Sequence, residues 1–181
     1  MNGKNWFKFV VGWIGVFAYR LLPFRVPNVE PVLSIAMPFS KKYGAWGGFL
    51  FGALSIGLFD LFTGAAGAWT LVTAGAYGIV GAGGAWFFRN RRANAVNFLA
   101  YGIAGTLAYD ALTGLTVGPL FFGQTFADAF FGQIPFTMMH LAGSVVFSLV
   151  VSPIVYRWVV TNHSLEANVL WPKIFGTQGA A

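Results

Sequence analysis

The chain has 181 residues, 57% of them hydrophobic and 9% charged, with a mean hydropathy of +0.68 and no cysteine. A soluble domain this short could not hide so much apolar surface, and the missing cysteines exclude a disulfide framework or thiolate chemistry. Eleven Lys and Arg against five Asp and Glu would suit nucleic acid, but the positions of the charges assign them to membrane topology.

Apolar runs predict an all-α integral membrane protein, one domain over 1–181, folded as a compact bundle of six transmembrane segments with both termini cytoplasmic. The first segment covers about 5–22. It ends in Tyr19-Arg20 without a small-residue cleavage pattern, and more spans follow, so it reads as a span and not a leader. Pro23 and Pro27 then forbid a continuous helix. The second segment, about 28–40, is too short to cross ~30 Å of hydrocarbon. Asn28 is its expected N-cap, Glu30 suits the first turn, and Lys41-Lys42 suit the far end, so its positive end should face a cavity. Pro38 should bend it.

The third segment, about 44–62, carries Gly48 and Gly52, then Ala53 and Gly57, at four-residue spacing, and the fourth, about 68–88, carries Ala74, Gly78 and Ala82 in the same register. Small residues at this spacing let backbones approach closely. Arg89-Asn90-Arg91-Arg92 follows, then the fifth segment, about 95–112. A connection over 113–135 repeats Phe-Phe-Gly-Gln at 121–124 and 130–133, and reads as an outer loop in the interface or over an opening. The sixth segment covers about 136–160, with a kink expected at Pro153, and a polar tail completes the chain.

Six crossings put Lys4, Lys8, Lys41, Lys42, Arg89, Arg91, Arg92, Arg157 and Lys173 on one side, leaving Arg20 and Arg25 on the other. Positive charge marks the cytoplasmic side, which places the chain as a multi-pass protein of the cytoplasmic membrane, the bacterial inner membrane, and makes nucleic acid an unlikely partner. Trp6, Trp46, Trp86 and Trp158 fall at the inner interface and Trp69 at the outer one.

Leu58-Phe59-Asp60-Leu61-Phe62-Thr63-Gly64 is echoed fifty positions later by Ala108-Tyr109-Asp110-Ala111-Leu112-Thr113-Gly114. Thr-Gly is a helix-stop signal, but an acid at a helix C-terminus opposes the macrodipole and needs a partner. Enzyme chemistry finds no support. The Gly-x-Gly-Asp of aspartyl intramembrane proteases is missing before Asp110, and His140 and His163 fall on opposite sides, so neither catalysis, metal nor cofactor is expected. Gly81-x-Gly83-Gly84 lies inside a span and reads as packing, not as a phosphate loop.

The remaining unusual residues converge near the outer face. Asn28 and Glu30 open the short helix, Asp60 and Asp110 end spans, Trp69, Thr73 and Tyr77 follow one helix face, and His140 lies one turn into the sixth segment. Gln124 and Gln133 lie in the long connection. An apolar pocket with a few polar groups and aromatic walls is the usual form of a small-molecule site. Interface anchoring for Trp69 and Tyr77, and a carbonyl hydrogen bond for His140, are the structural alternatives.

Six segments, the break Pro27-Asn28-Val29-Glu30-Pro31, a short second helix and Gly-rich third and fourth helices resemble the substrate-binding (S) component of energy-coupling factor transporters. The resemblance implies capture of a vitamin or similar micronutrient from outside, then association with a coupling transmembrane protein and two cytoplasmic ATPases. It further implies docking through small residues on the first helix, where this chain offers Gly12, Gly15 and Ala18 in place of Ala-x-x-x-Ala. The competing expectation is a non-transporting membrane scaffold whose glycines pack partner helices.

Overall fold

One glycine doubles the longest helical stretch back on itself. The computed structural model describes residues 3–176, and among these every regular element is helical. In chain order they are α1 (Trp6–Arg20), α2 (Val32–Thr63), α3 (Ala68–Phe87), α4 (Ala95–Gly114), α5 (Val117–Phe122), α6 (Phe126–Val155) and α7 (Ala167–Phe175). A π-helical turn, Tyr156–Val160, prolongs α6, and 3-10 turns precede α1 and α7. Inside α2, Gly44 has φ 77° and ψ −169°, a conformation that a side chain would strain. Phe39 and Phe51 stack across it with ring centroids 4.5 Å apart, whereas a straight helix would separate them by roughly 18 Å. Element α2 is therefore two arms, residues 32–43 and 45–63, matching the expected short second and full third segments.

The short arm is the centre of the bundle. Every residue from Pro31 to Ser40 is buried, as a helix apolar on all sides requires. Phe9 of α1 meets Phe39 at 4.5 Å between centroids, and Ser148 of α6 meets Ser34 at 3.3 Å between hydroxyls. Pro38 has no N–H to give the Ser34 carbonyl, the i−4 acceptor of a regular helix. The Ser152 hydroxyl of α6 donates to that carbonyl instead, at 2.6 Å. A proline that reads from the sequence as a bend is accommodated by a serine 114 positions beyond it, and the φ/ψ departure inside α2 falls at Gly44.

The long arm crosses α3 backbone to backbone. A Cβ at Gly48 would overlap the Gly81 carbonyl, one at Gly81 would overlap that of Gly48, and one at Gly52 would overlap that of Tyr77. The facing row on α3 is therefore Tyr77, Gly78 and Gly81, shifted from the expected Ala74, Gly78 and Ala82. Gly57 meets nothing within 4 Å and takes no part.

Two expectations need correction. The stretch 113–135 is not a loop: α4 runs through Gly114, α5 follows, and α6 starts at Phe126, ten residues before the expected start of the last segment. The Thr125 hydroxyl accepts from the Asp128 N–H at 3.1 Å and donates to its carboxylate at 2.6 Å, a self-contained N-cap. Gly12 is the second correction. It is buried, and a Cβ there would lie 2.6 Å from Phe51 and 3.0 Å from Phe39, so it serves internal packing and is closed to a docking partner. Gly15 and Ala18 remain exposed on α1.

Helix ends sort by charge. At one end the Lys41 ammonium donates to the Phe88 carbonyl at 2.7 Å, and buried Lys8 donates to the Val160 carbonyl at 3.1 Å, with the Tyr43 hydroxyl on the same oxygen at 3.3 Å. Glu166 joins this end, 3.3 Å from Lys4, 3.8 Å from Lys8 and 2.9 Å from His163 Nδ1. Partial desolvation opposes its charge, but the hydrogen bonds from Lys4 and His163 and the charges of Lys4 and Lys8 outweigh it and hold the carboxyl below the usual carboxylate range. A depressed folded-state pKa contributes stability above the unfolded value, near ~4.3, that is lost as pH falls through the folded value. The protection factors of Ala167–Phe175, exchange rates referred to the unstructured rate at the same pH, should therefore fall below about pH 4, and Glu166→Gln should show the lower protection already at pH 7. Protection that does not change with pH in this segment would show that Glu166 does not fasten it.

Candidate functional site

At the opposite end, Arg20, Asn28, Glu30, Ile56, Asp60, Trp69, Thr73, Tyr77, Tyr109, Phe136 and His140 line one cavity of about 220 Å³. Seven of the eight residues singled out from the sequence are in that lining, drawn from the loop before α2 and from α2, α3 and α6. Asp110, the eighth, stands behind His140. Gln124 and Gln133 line an adjoining hollow of about 300 Å³ that shares Thr73, Tyr109 and Phe136 with the first.

Each wall has a local cause. Asn28 has φ 64°, a left-handed conformation that asparagine tolerates better than most side chains. It turns the chain into the cavity, where the sequence suggests an N-cap; α2 starts later, with Pro31 in the N-cap position. Glu30 is held by two cations, Arg20 at 3.1 Å and Arg25 at 3.6 Å. Arg25 also donates through Nε to the Arg20 carbonyl at 3.1 Å, so it is a structural partner and not a free loop charge. The Arg20 guanidinium lies 4.3 Å from the Phe59 ring centroid.

The echoed aspartates have different partners. Asp60 is 8% exposed and accepts from the Thr70 hydroxyl at 2.7 Å, while Thr70 accepts from the Gly67 N–H at 3.1 Å at the start of α3. The Thr63 hydroxyl bonds back to the Phe59 carbonyl at 2.9 Å, and left-handed Gly64, φ 72°, ends the arm. Helix α4 instead runs on through Gly114, whose α-carbon packs against the Gln133 side chain. Asp110 is 2% exposed and its Oδ1 lies 2.7 Å from His140 Nδ1. With Asp110 ionised, Nδ1–H donates to it and Nε2 is left to face the Tyr77 hydroxyl at 3.5 Å. Tyr77 stacks on Tyr109 at 3.9 Å, and Tyr109 and Phe136 meet the His140 ring edge-on at 5.6 and 5.9 Å.

Sequence reasoning missed Thr70, Tyr109 and Phe136. Phe136 carries a readable signal, lying four residues before His140 on the same helix face, and Tyr109 sits beside an aspartate already singled out. Thr70 has none, because its role depends on where α3 meets the end of α2. No protein-family model, curated protein or solved structure matches this chain.

Proposed function

We propose that the chain is a six-segment integral membrane protein that captures a small organic nutrient in the cavity between Asp60 and His140. In this reading it is the substrate-binding subunit of an importer of the energy-coupling factor type, with a separate coupling protein and ATPases. The observation that carries the proposal is the gathering of Glu30, Asp60, Trp69, Tyr77 and His140 around one hollow at the end of the bundle away from the lysines. Polar groups among aromatic walls suit recognition of a small solute.

The outer surface supports the membrane setting. The stretches Val32–Thr63, whose arm 45–63 is the part long enough to cross, and Phe126–Val160 are apolar enough for a membrane, and only 33% of the most apolar window in each is buried. A core helix of a soluble domain would be mostly buried. Ile14, Leu71, Ile79, Val96, Leu120 and Val146 are each at least 59% exposed, which favours lipid over water as their surroundings. The basic end, with Arg89, Arg91 and Arg92, is the cytoplasmic one in this reading. The scaffold alternative loses ground, because Gly48, Gly52 and Gly81 contact this chain's own helices and are not free for a partner.

Single cysteines test the topology. Asn90 and Ala127 are both exposed, one beyond the end of α3 and the other in the first turn of α6. Asn90→Cys should label from the cytoplasmic side only and Ala127→Cys from the outside only. Labelling of both from one side would overturn the six-crossing arrangement.

A further inference from the structure

The cavity's charges are not evenly matched. Glu30 has two arginines and Asp110 a hydrogen bond with His140, but among the described residues no basic side chain lies within 4.0 Å of Asp60. Its one side-chain partner is the Thr70 hydroxyl, a neutral donor. A carboxylate 8% exposed, at the end of a helix whose dipole opposes it, is a costly thing to leave without a countercharge. The same lining includes Trp69, Tyr77, Tyr109 and Phe136, and aromatic rings attract cations and stack on flat ones.

We propose that the cavity takes a small organic cation, a protonated amine on an aromatic or heteroaromatic frame, with its N–H donors on Asp60 and its ring against Tyr77 and Tyr109. This rests on the capture reading above and names the solute class. An anion is the rival occupant, since Arg20 also borders the cavity. Arg20 is paired with Glu30 at 3.1 Å and lies on the Phe59 face, and its buried Nε is a donor left without a partner. An anion beside it would also face Asp60 with no cation between them. At about 220 Å³ the space suits a compact solute, below the ~300–1,000 Å³ of drug-sized sites.

Three probes of one shape separate the charge classes: tryptamine (cation), tryptophol (neutral) and indole-3-acetate (anion), titrated against the detergent-purified protein by calorimetry. Tryptamine should bind tighter than tryptophol by about ten- to a hundredfold, the range of a charge-assisted hydrogen bond, with indole-3-acetate weakest. Asp60→Asn should erase the preference by weakening tryptamine far more than tryptophol, and Asp60→Glu should keep part of it. Should Asp60→Asn not fold, the wild-type order and Asp60→Glu decide. Tighter binding of the anion, no binding of any probe, or a preference that survives Asp60→Asn would overturn the proposal. Native mass spectrometry separates this failure from that of the capture reading. A retained anionic solute sinks the cation and leaves capture standing, whereas a protein that holds no solute under any condition sinks both.

Discussion

Replacing Asp110 with alanine should lower the unfolding free energy by about 3–5 kcal/mol, the cost of leaving one member of a buried, hydrogen-bonded pair without its partner. His140 would lose the acceptor at 2.7 Å on Nδ1, in a place where both residues are at most 4% exposed and water is scarce. Its ring would also lose the orientation that turns Nε2 toward Tyr77. Asp110→Asn should cost less, because an amide oxygen can still accept. Adding His140→Ala to Asp110→Ala should cost far less than the sum, since the two act as one unit. Asp60→Asn should leave the unliganded melting temperature near wild type, because the Thr70 hydroxyl keeps an acceptor there. Thermal melting of the solute-free protein in detergent measures all four. Equal losses at Asp60 and Asp110 would contradict the division of roles.

A methyl group at Gly48 or Gly81 should have the next largest effect. Each Cβ would overlap a main-chain carbonyl of the facing helix, which has no rotamer to turn aside, so the long arm of α2 and α3 must separate. Overpacking of this kind costs about 1–3 kcal/mol. It should also weaken solute binding, because Tyr77 lies on α3 in the same contact row and its carbonyl faces Gly52. Gly57→Ala and Gly75→Ala are the controls. Neither position has an atom within 4 Å of the added carbon, and replacing a helical glycine should gain up to ~1 kcal/mol. If all four variants melt together, the glycine row is not the contact that holds the bundle.

Much of this was legible from residue order because these apolar helices carry charge at their ends and small residues at their contacts. Pro23, Pro27 and Lys41 to Gly44 marked the breaks around the short arm, and Trp69, Thr73 and Tyr77 shared one helix face that does border the cavity. The stretch 113–135 misled for a definable reason. Its repeated Phe-Phe-Gly-Gln reads as an interfacial loop, yet Gly123, φ 64°, only separates α5 from α6, and Pro135 sits inside α6. Nor could local pattern show that Pro38 would be matched by Ser152, Asp60 by Thr70, or Gly48 by Gly81. Those pairings depend on how helices cross, which spacing within one helix does not encode. The aspartate echo is the clearest case, since two heptapeptides sharing Asp, Thr and Gly at the same places acquire a threonine partner in one copy and a histidine in the other.

Solute capture is tested most directly by native mass spectrometry of the purified protein beside a variant with the cavity filled. Thr73 borders both hollows, so Thr73→Trp should block them without touching Asp60, Asp110 or His140. The account predicts that wild type exposed to a metabolite extract carries a bound small molecule, released on unfolding, and that Thr73→Trp, equally folded, carries none. Wild type that stays solute-free, or a solute retained equally by both proteins, would contradict it.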